Sequence, residues 1–172
     1  MVVFTIGHST HPVDAFVELL RRHEVRVVVD VRTIPPSRRH PHFNADALAA
    51  ALAAASIDYR HVAALGGLRR PRPDSVHTAW THPAFRGYAD HMDTAEFQEA
   101  LQSLLSCAAG SPTAVMCAEA LWWQCHRRLL ADALVVRGVE VVHILASGAP
   151  QRHEMTPFSR ICEGRVSYPG LV

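Results

Sequence analysis

VRVVVDV, residues Val25–Val31, holds five valines in seven positions and keeps its polar residues to Arg26 and Asp30. A run that apolar and that β-branched suits a strand covered on both faces, as in a parallel sheet, better than the half-wet alternation of an antiparallel one. Working outward, Met1–Ile6 reads as another such strand. Between the two, Val13, Phe16, Val17, Leu19 and Leu20 fall on one face at helical spacing over Pro12–His23, with Thr10 as a cap candidate and Pro12 in the first turn. Strand, helix, strand is the unit of a parallel sheet.

The same alternation continues. Asn44 opens an alanine-rich helix reaching Ala55, and Ile57–Ala63 reads as a third strand before Gly66-Gly67. Helices are expected over Pro83–His91 and, opened by Thr94, over Thr94–Ala108. Thr113–Cys117 is a fourth strand, Gln124–Arg137 a helix closed by Gly138, and Val139–Leu145 a fifth strand. Arg69–Ser75 (RRPRPDS) is expected as an exposed loop or lid. A polar tail from Pro150 ends in a short hairpin around Glu163-Gly164. The expected fold is α/β, a three-layer sandwich with about five mostly parallel strands and helices on both faces.

At 172 residues the chain suits one domain with a sizeable core. With 49% hydrophobic and 19% charged residues and a formal net charge of +1, it resembles neither a disordered chain nor a strongly basic nucleic-acid binder. All 17 cations are arginine, which excludes Schiff-base chemistry, a phosphate-loop lysine and a lysine base. No stretch has the roughly 20 apolar residues of a membrane span, and the start lacks a charged leader, so a cytoplasmic protein with no membrane partner is expected. In that setting Cys107, Cys117, Cys125 and Cys162 read as buried, catalytic or metal-binding thiols rather than a disulfide framework.

Ligands of open α/β sheets sit beyond the carboxyl ends of the strands. Those ends carry Gly7-His8-Ser9, Asp30-Val31-Arg32 with Pro35 and Ser37 after it, Leu65-Gly66-Gly67, Cys117-Ala118-Glu119, and Ala146-Ser147-Gly148. The densest group runs from Cys117 and Glu119 through Trp122-Trp123 to Cys125-His126-Arg127-Arg128. A thiol at a strand end followed by a helix start favours a thiolate and a bound anion, which Arg127 or Arg128 would clamp. The plainer reading makes Cys117 a small core residue. A zinc site from Cys117, Cys125 and His126, with His8 or His153, is the weaker alternative: seven residues separate the cysteines, where two to four are usual, and adjacent Cys125 and His126 point about 100° apart on a helix. No other cofactor is indicated.

Asp30 and Arg32 share one side of a strand end, as an ion pair that locks the loop or as base and anion holder. His8 and Ser9 divide the same way, while Tyr59 and His61 suit support better than catalysis. Trp122 and Trp123 pack under the loop or stack a base or sugar. Arg38-Arg39-His40 and Arg69-Arg70-Pro71-Arg72 are solvated surface or a local phosphate rim.

In TIGHST, VVDVRTIPPSRR, LGG, CAE with CHR, and HEMTP with GRVSYP, met in that order along nearly the whole chain, the sequence resembles a bacterial and archaeal family known as domain of unknown function 488. The resemblance implies no settled activity. It falls on His8, Ser9, Asp30, Arg32, Pro35, Ser37, Gly66, Gly67, Cys117, Glu119, Cys125, His126 and Arg127. Leu121-Trp122-Trp123 departs from it, since the family usually has charged residues and a proline there. The strand-end cysteine before an anion-cradling loop is also similar to rhodanese-like and cysteine-phosphatase sites, and VVDVR to a rhodanese strand.

Three functions follow as expectations. The first is an enzyme with Cys117 as thiolate nucleophile or sulfur carrier, and with His126, Glu119 or Asp30 moving protons. Arg127, Arg32, His8, Ser9, Ser37, Gly66, Gly67, Trp122 and Trp123 would hold a phosphorylated or nucleotide-like small molecule. The second is a hydrolase or glycosidase in which Asp30 and Glu119 activate water against a nucleoside or nucleic-acid base. The third is a nucleic-acid-binding module built on the arginine loops and the tryptophan pair. Oligomeric state is not legible.

Overall fold

A computed structural model describes residues 1–170. Five strands, β1 (Val2–Gly7), β2 (Val27–Asp30), β3 (Asp58–His61), β4 (Thr113–Cys117) and β5 (Glu140–His143), pair in parallel. A sixth, β6 (Gln151–Arg152), adds antiparallel to β5, giving the order β3-β2-β4-β1-β5-β6. The sequence left β6 in the polar tail because two exposed residues carry no period. A separate hairpin, β7 (Arg160–Cys162) with β8 (Arg165–Ser167), turns at Glu163 and Gly164, whose φ of 50° and 72° suit a tight two-residue turn.

Helices α1 (Val13–Arg22) and α2 (Ala45–Ala54) cover one face, packing Phe16, Leu20, Leu48 and Leu52 on Ile6, Val28, Ala114 and Met116. Helices α3 (Pro83–Met92), α4 (Ala95–Gly110) and α5 (Arg127–Val136) cover the other, against Val3, Val27, Val29 and Val115. The alternation of side chains along each strand sends successive valines of β2 to opposite cores. That is why VRVVVDV has no polar face. In α4, Phe97, Leu101, Leu104 and Ala108 repeat at helical spacing into the core, and Thr94 Oγ1 accepts the Phe97 N–H at 3.2 Å as its cap. Thr10 is not a cap, and Asn44 holds the N-cap position of α2 without a side-chain cap bond. Pro12 occupies the N-cap of α1 in place of Thr10, and Asn44 spends its Oδ1 on the Ser37 N–H at 2.6 Å.

The chain leaves β1 and β2 toward the α1–α2 face and leaves β4 toward the α3–α5 face. Strand β4 lies between β1 and β2, so its exit loop faces away from both neighbours, and a crevice opens where the directions part. The crevice is rigid at its base. Beyond the ladder, the His8, Ser9 and Val31 N–H groups still bond the carbonyls of Cys117, Ala118 and Met116 at 2.9 Å.

Candidate active site

Cys117 ends β4, paired with Gly7 of β1. Cys125 lies eight residues on, after a 3-10 turn at Trp122–Gln124 and two residues before α5. The two Sγ atoms are 2.9 Å apart, both thiols are free and both are buried. Such proximity makes them one titrating unit. Burial pushes the Cys117 thiol up, as does its hydrogen bond to Cys125. Burial also pushes Cys125 up, but the bond from Cys117, His126 and Arg127 outweigh it and hold that thiol well below its ordinary value. The two directions make Cys117 the firmer hold on the shared proton and Cys125 the readier anion.

Arg127 supplies the balancing charge. Its side chain is buried, its Nη2 donates to the Glu119 carbonyl and its Nη1 reaches Thr5 Oγ1 at 3.5 Å, while Nε has no partner. Among the described residues no carboxylate pairs with it. A desolvated guanidinium without a counter-ion is costly, and the thiol pair beside it is the group placed to supply the negative charge. The Arg127 N–H points at Cys125 Sγ at 3.5 Å, and His126 Nδ1 lies at the same distance.

Two glycines let these parts meet. A Cβ on Gly7 would stand 1.8 Å from the Glu119 carbonyl oxygen, and one on Gly67 would stand 2.9 Å from His126 Nδ1. Gly66 is held against Thr33, whose hydroxyl donates to the Gly67 carbonyl at 2.7 Å. His126 packs on Tyr88 with centroids 4.9 Å apart, and its Nε2 is buried without a partner.

The thiols open on a cavity of about 240 Å³ with walls from Ile34, Leu68, Glu119 and His126. It shares Gly67, Leu68, Glu119, Cys125 and His126 with a neighbour of about 500 Å³ that adds Phe85 and Trp123. Leu68 is 78% exposed with φ 58°, an uncommon conformation for a residue with a Cβ. Together they form a cleft with sulfur at the floor and apolar side chains on the rim.

Of the other expected site residues, Arg32 lines the smaller cavity beside Thr33, while Asp30 lines neither. Asp30 is wholly buried. Its Oδ1 accepts the Arg32 N–H and Nε, and its Oδ2 accepts Arg32 Nη2 at 2.6 Å and the Tyr59 hydroxyl at 2.7 Å. Arg32 spends its remaining N–H groups on the Pro35 and Phe43 carbonyls and on His8 Nε2. That pair locks the loop, and neither member has a free valence for substrate. His8 donates from Nδ1 to the Ser9 carbonyl, stacks on Phe43 at 4.3 Å, and is pushed by burial down to about 4. Ser37 Oγ accepts the His40 N–H inside the following loop, and the His61 ring bonds the Arg32 carbonyl at 2.7 Å.

Trp122 turns away from the cleft and stacks on His143 at 4.1 Å, whereas Trp123 stays exposed at its edge. The Arg69–Ser75 segment is strapped to α3 and is no free lid: the Arg72 N–H bonds Asp90 at 2.8 Å, and Gly87 makes room for the Arg69 carbonyl. Sequence reasoning missed a buried chain of hydrogen bonds behind Arg127. It runs from Thr5 to His143 (2.6 Å), His153 (3.0 Å) and Asp132 (2.8 Å), and Asp132 also holds Tyr168 and the Thr156 N–H. Its members come from β1, β5, α5 and the tail, with no spacing to announce them. Among the described residues no three His, Cys, Asp or Glu side chains are placed to share a metal ion.

A family model described as "Domain of unknown function DUF488" matches residues 12–134. The chain belongs to the DUF488 family. The match spans Asp30, Arg32, Gly66, Gly67, the thiol pair and most of α5, while β1 with Gly7 and the tail lie outside it. No curated protein and no solved structure matches the chain. No helix among the described residues is long and apolar enough to cross a membrane.

Proposed function

We propose that this DUF488 protein is a thiol-dependent enzyme in which Cys125 is the nucleophile, Cys117 its hydrogen-bond donor and Arg127 its buried counter-charge. The observation that carries this is the guanidinium buried without a carboxylate beside two touching thiols. A purely structural cysteine pair gives no reason to bury a cation there. Sequence reasoning favoured Cys117 as nucleophile because it ends the strand; the start of α5, with its free N–H groups and positive dipole end, favours Cys125.

The substrate is a small molecule with an electrophilic centre at the cleft floor and an apolar or aromatic body between Ile34, Leu68 and Trp123. A nucleobase would stack on Trp123 as well as any other ring. Water activation by Asp30 is the poorer reading, since its lone pairs are taken by Arg32 and Tyr59. Nucleic-acid binding loses two of its arginines: Arg69 approaches Glu96, and Arg72 approaches Asp74, Asp90 and Asp93.

The test is site-resolved iodoacetamide labelling of the native protein as a function of pH. Cys125 should label below about pH 7, earlier than exposed Cys162, which serves as the reference for an accessible thiol. Labelling of Cys125 only in step with Cys162, or after unfolding, would overturn the reading.

A further inference from the structure

Resting on the thiolate reading, we propose that Cys117 and Cys125 act as a resolving and an attacking thiol, and that the substrate class is a small organic disulfide with an aromatic or apolar half. An enzyme that only acylates or phosphorylates Cys125 has no use for a second sulfur in contact with it. A sulfur adduct is different: any group linked through sulfur to Cys125 lies within reach of Cys117.

Both backbones are anchored, Cys117 by its pairing with Gly7 and the His8 N–H on its carbonyl, Cys125 by its bond to the Trp122 carbonyl and by α5. Closing 2.9 Å to a bond of about 2.05 Å moves the sulfurs by under about 1 Å. The apolar rim seats the organic half. Arg127 steadies negative charge on sulfur before and after each exchange.

The steps balance. Cys125 thiolate attacks one sulfur of R–S–S–R; a Cys125–S–R bond forms, the S–S bond breaks, and one RS⁻ leaves. Cys117 gives its proton to that RS⁻ and attacks Cys125 Sγ, forming the Cys117–Cys125 bond and expelling the second RS⁻. The substrate is reduced by two electrons and the dithiol oxidised by two. An external thiol of the glutathione class then restores the pair by two exchanges, leaving as its own disulfide.

The experiment uses the full chain carrying Cys107→Ser and Cys162→Ser, with dithiobis-nitrobenzoate as the aromatic disulfide. Two nitrothiobenzoates should be released per chain, with a Cys117–Cys125 bridge in the peptide map and no retained adduct. Adding Cys117→Ser should leave one release and a stable adduct on Cys125. Steady-state turnover with glutathione should then fall at least about tenfold, and by more than the first release slows through the altered hydrogen bond to Cys125. Cys117→Ala, which removes the hydrogen bond to Cys125 altogether, should trap the same adduct with a slower first release, and thermal unfolding reports that either variant is folded. A persistent Cys125 adduct with Cys117 present, or unchanged turnover in Cys117→Ser, would overturn the resolving role and leave the thiolate reading standing. Failure of both thiols to react in the native protein would remove both.

Discussion

Asp30 shows how a strand-end carboxylate that looks catalytic in sequence becomes a lock in the fold. Its oxygens receive three N–H donors from Arg32, the Nε–H shared between both, and a fourth donor from Tyr59, and no solvent reaches it. A buried ion pair broken on one side leaves an uncompensated charge, which costs about 3–5 kcal/mol. Asp30→Asn should therefore lower the unfolding free energy by an amount in that range, whereas Tyr59→Phe should cost only about 1 kcal/mol, the worth of one hydrogen bond. Equilibrium unfolding in guanidinium measures both. An Asp30→Asn protein as stable as the parent, yet inactive, would return Asp30 to the role of base. The sequence placed Asp30 and Arg32 on one side of the strand correctly. It left their partners open, because Tyr59 and the Phe43 carbonyl arrive from other elements.

Among elements, the site is a junction of three ends: β1 at Gly7, β4 at Cys117 and α5 at Arg127. The strands and helices themselves were legible because each carries its period in its own residues, as Phe97, Leu101 and Leu104 do in α4. The junction was legible only in part. The Cys117–Glu119 and Cys125–Arg127 group stood out as a cluster, but the sulfur contact and the burial of Arg127 depend on how close β1 and its neighbours approach. Two glycines govern that approach, and they should differ sharply. Gly7→Ala would drive a methyl into the Glu119 backbone and should destabilise by several kcal/mol, about 3 or more, the scale of severe overpacking. Gly67→Ala meets only a rotatable imidazole at 2.9 Å. It should preserve the melting temperature within a few degrees while slowing Cys125 alkylation, since His126 must swing from the sulfur. Thermal unfolding and labelling rate separate the two, and equal losses of stability would contradict this account of the junction.

Across the whole molecule, two buried histidines stand on opposite faces of the sheet: His8 against Phe43 on the α1–α2 side, and His143 under Trp122 on the α5 side. Burial pushes His8 down to about 4, helped by Arg32, and pushes His143 down to about 3, helped by His153 and Arg127. An unfolded chain returns both to the ordinary value near 6.5. Between that value and the folded ones the unfolded state binds more protons than the native state, so stability rises with pH there and falls as acid is added. Both contributions are whole above about pH 6.5 and drain away as the pH drops toward 4 for His8 and 3 for His143. At pH 5 each histidine should have cost roughly 1 kcal/mol, allowing for solvent screening. Unfolding free energies at pH 7 and pH 5 should differ by about that sum, and His143→Gln should remove close to half of the difference. A stability curve flat from pH 7 to pH 5 would mean that neither ring is held neutral, and the bonded chain from Thr5 to Asp132 would then need protonated histidines at its centre.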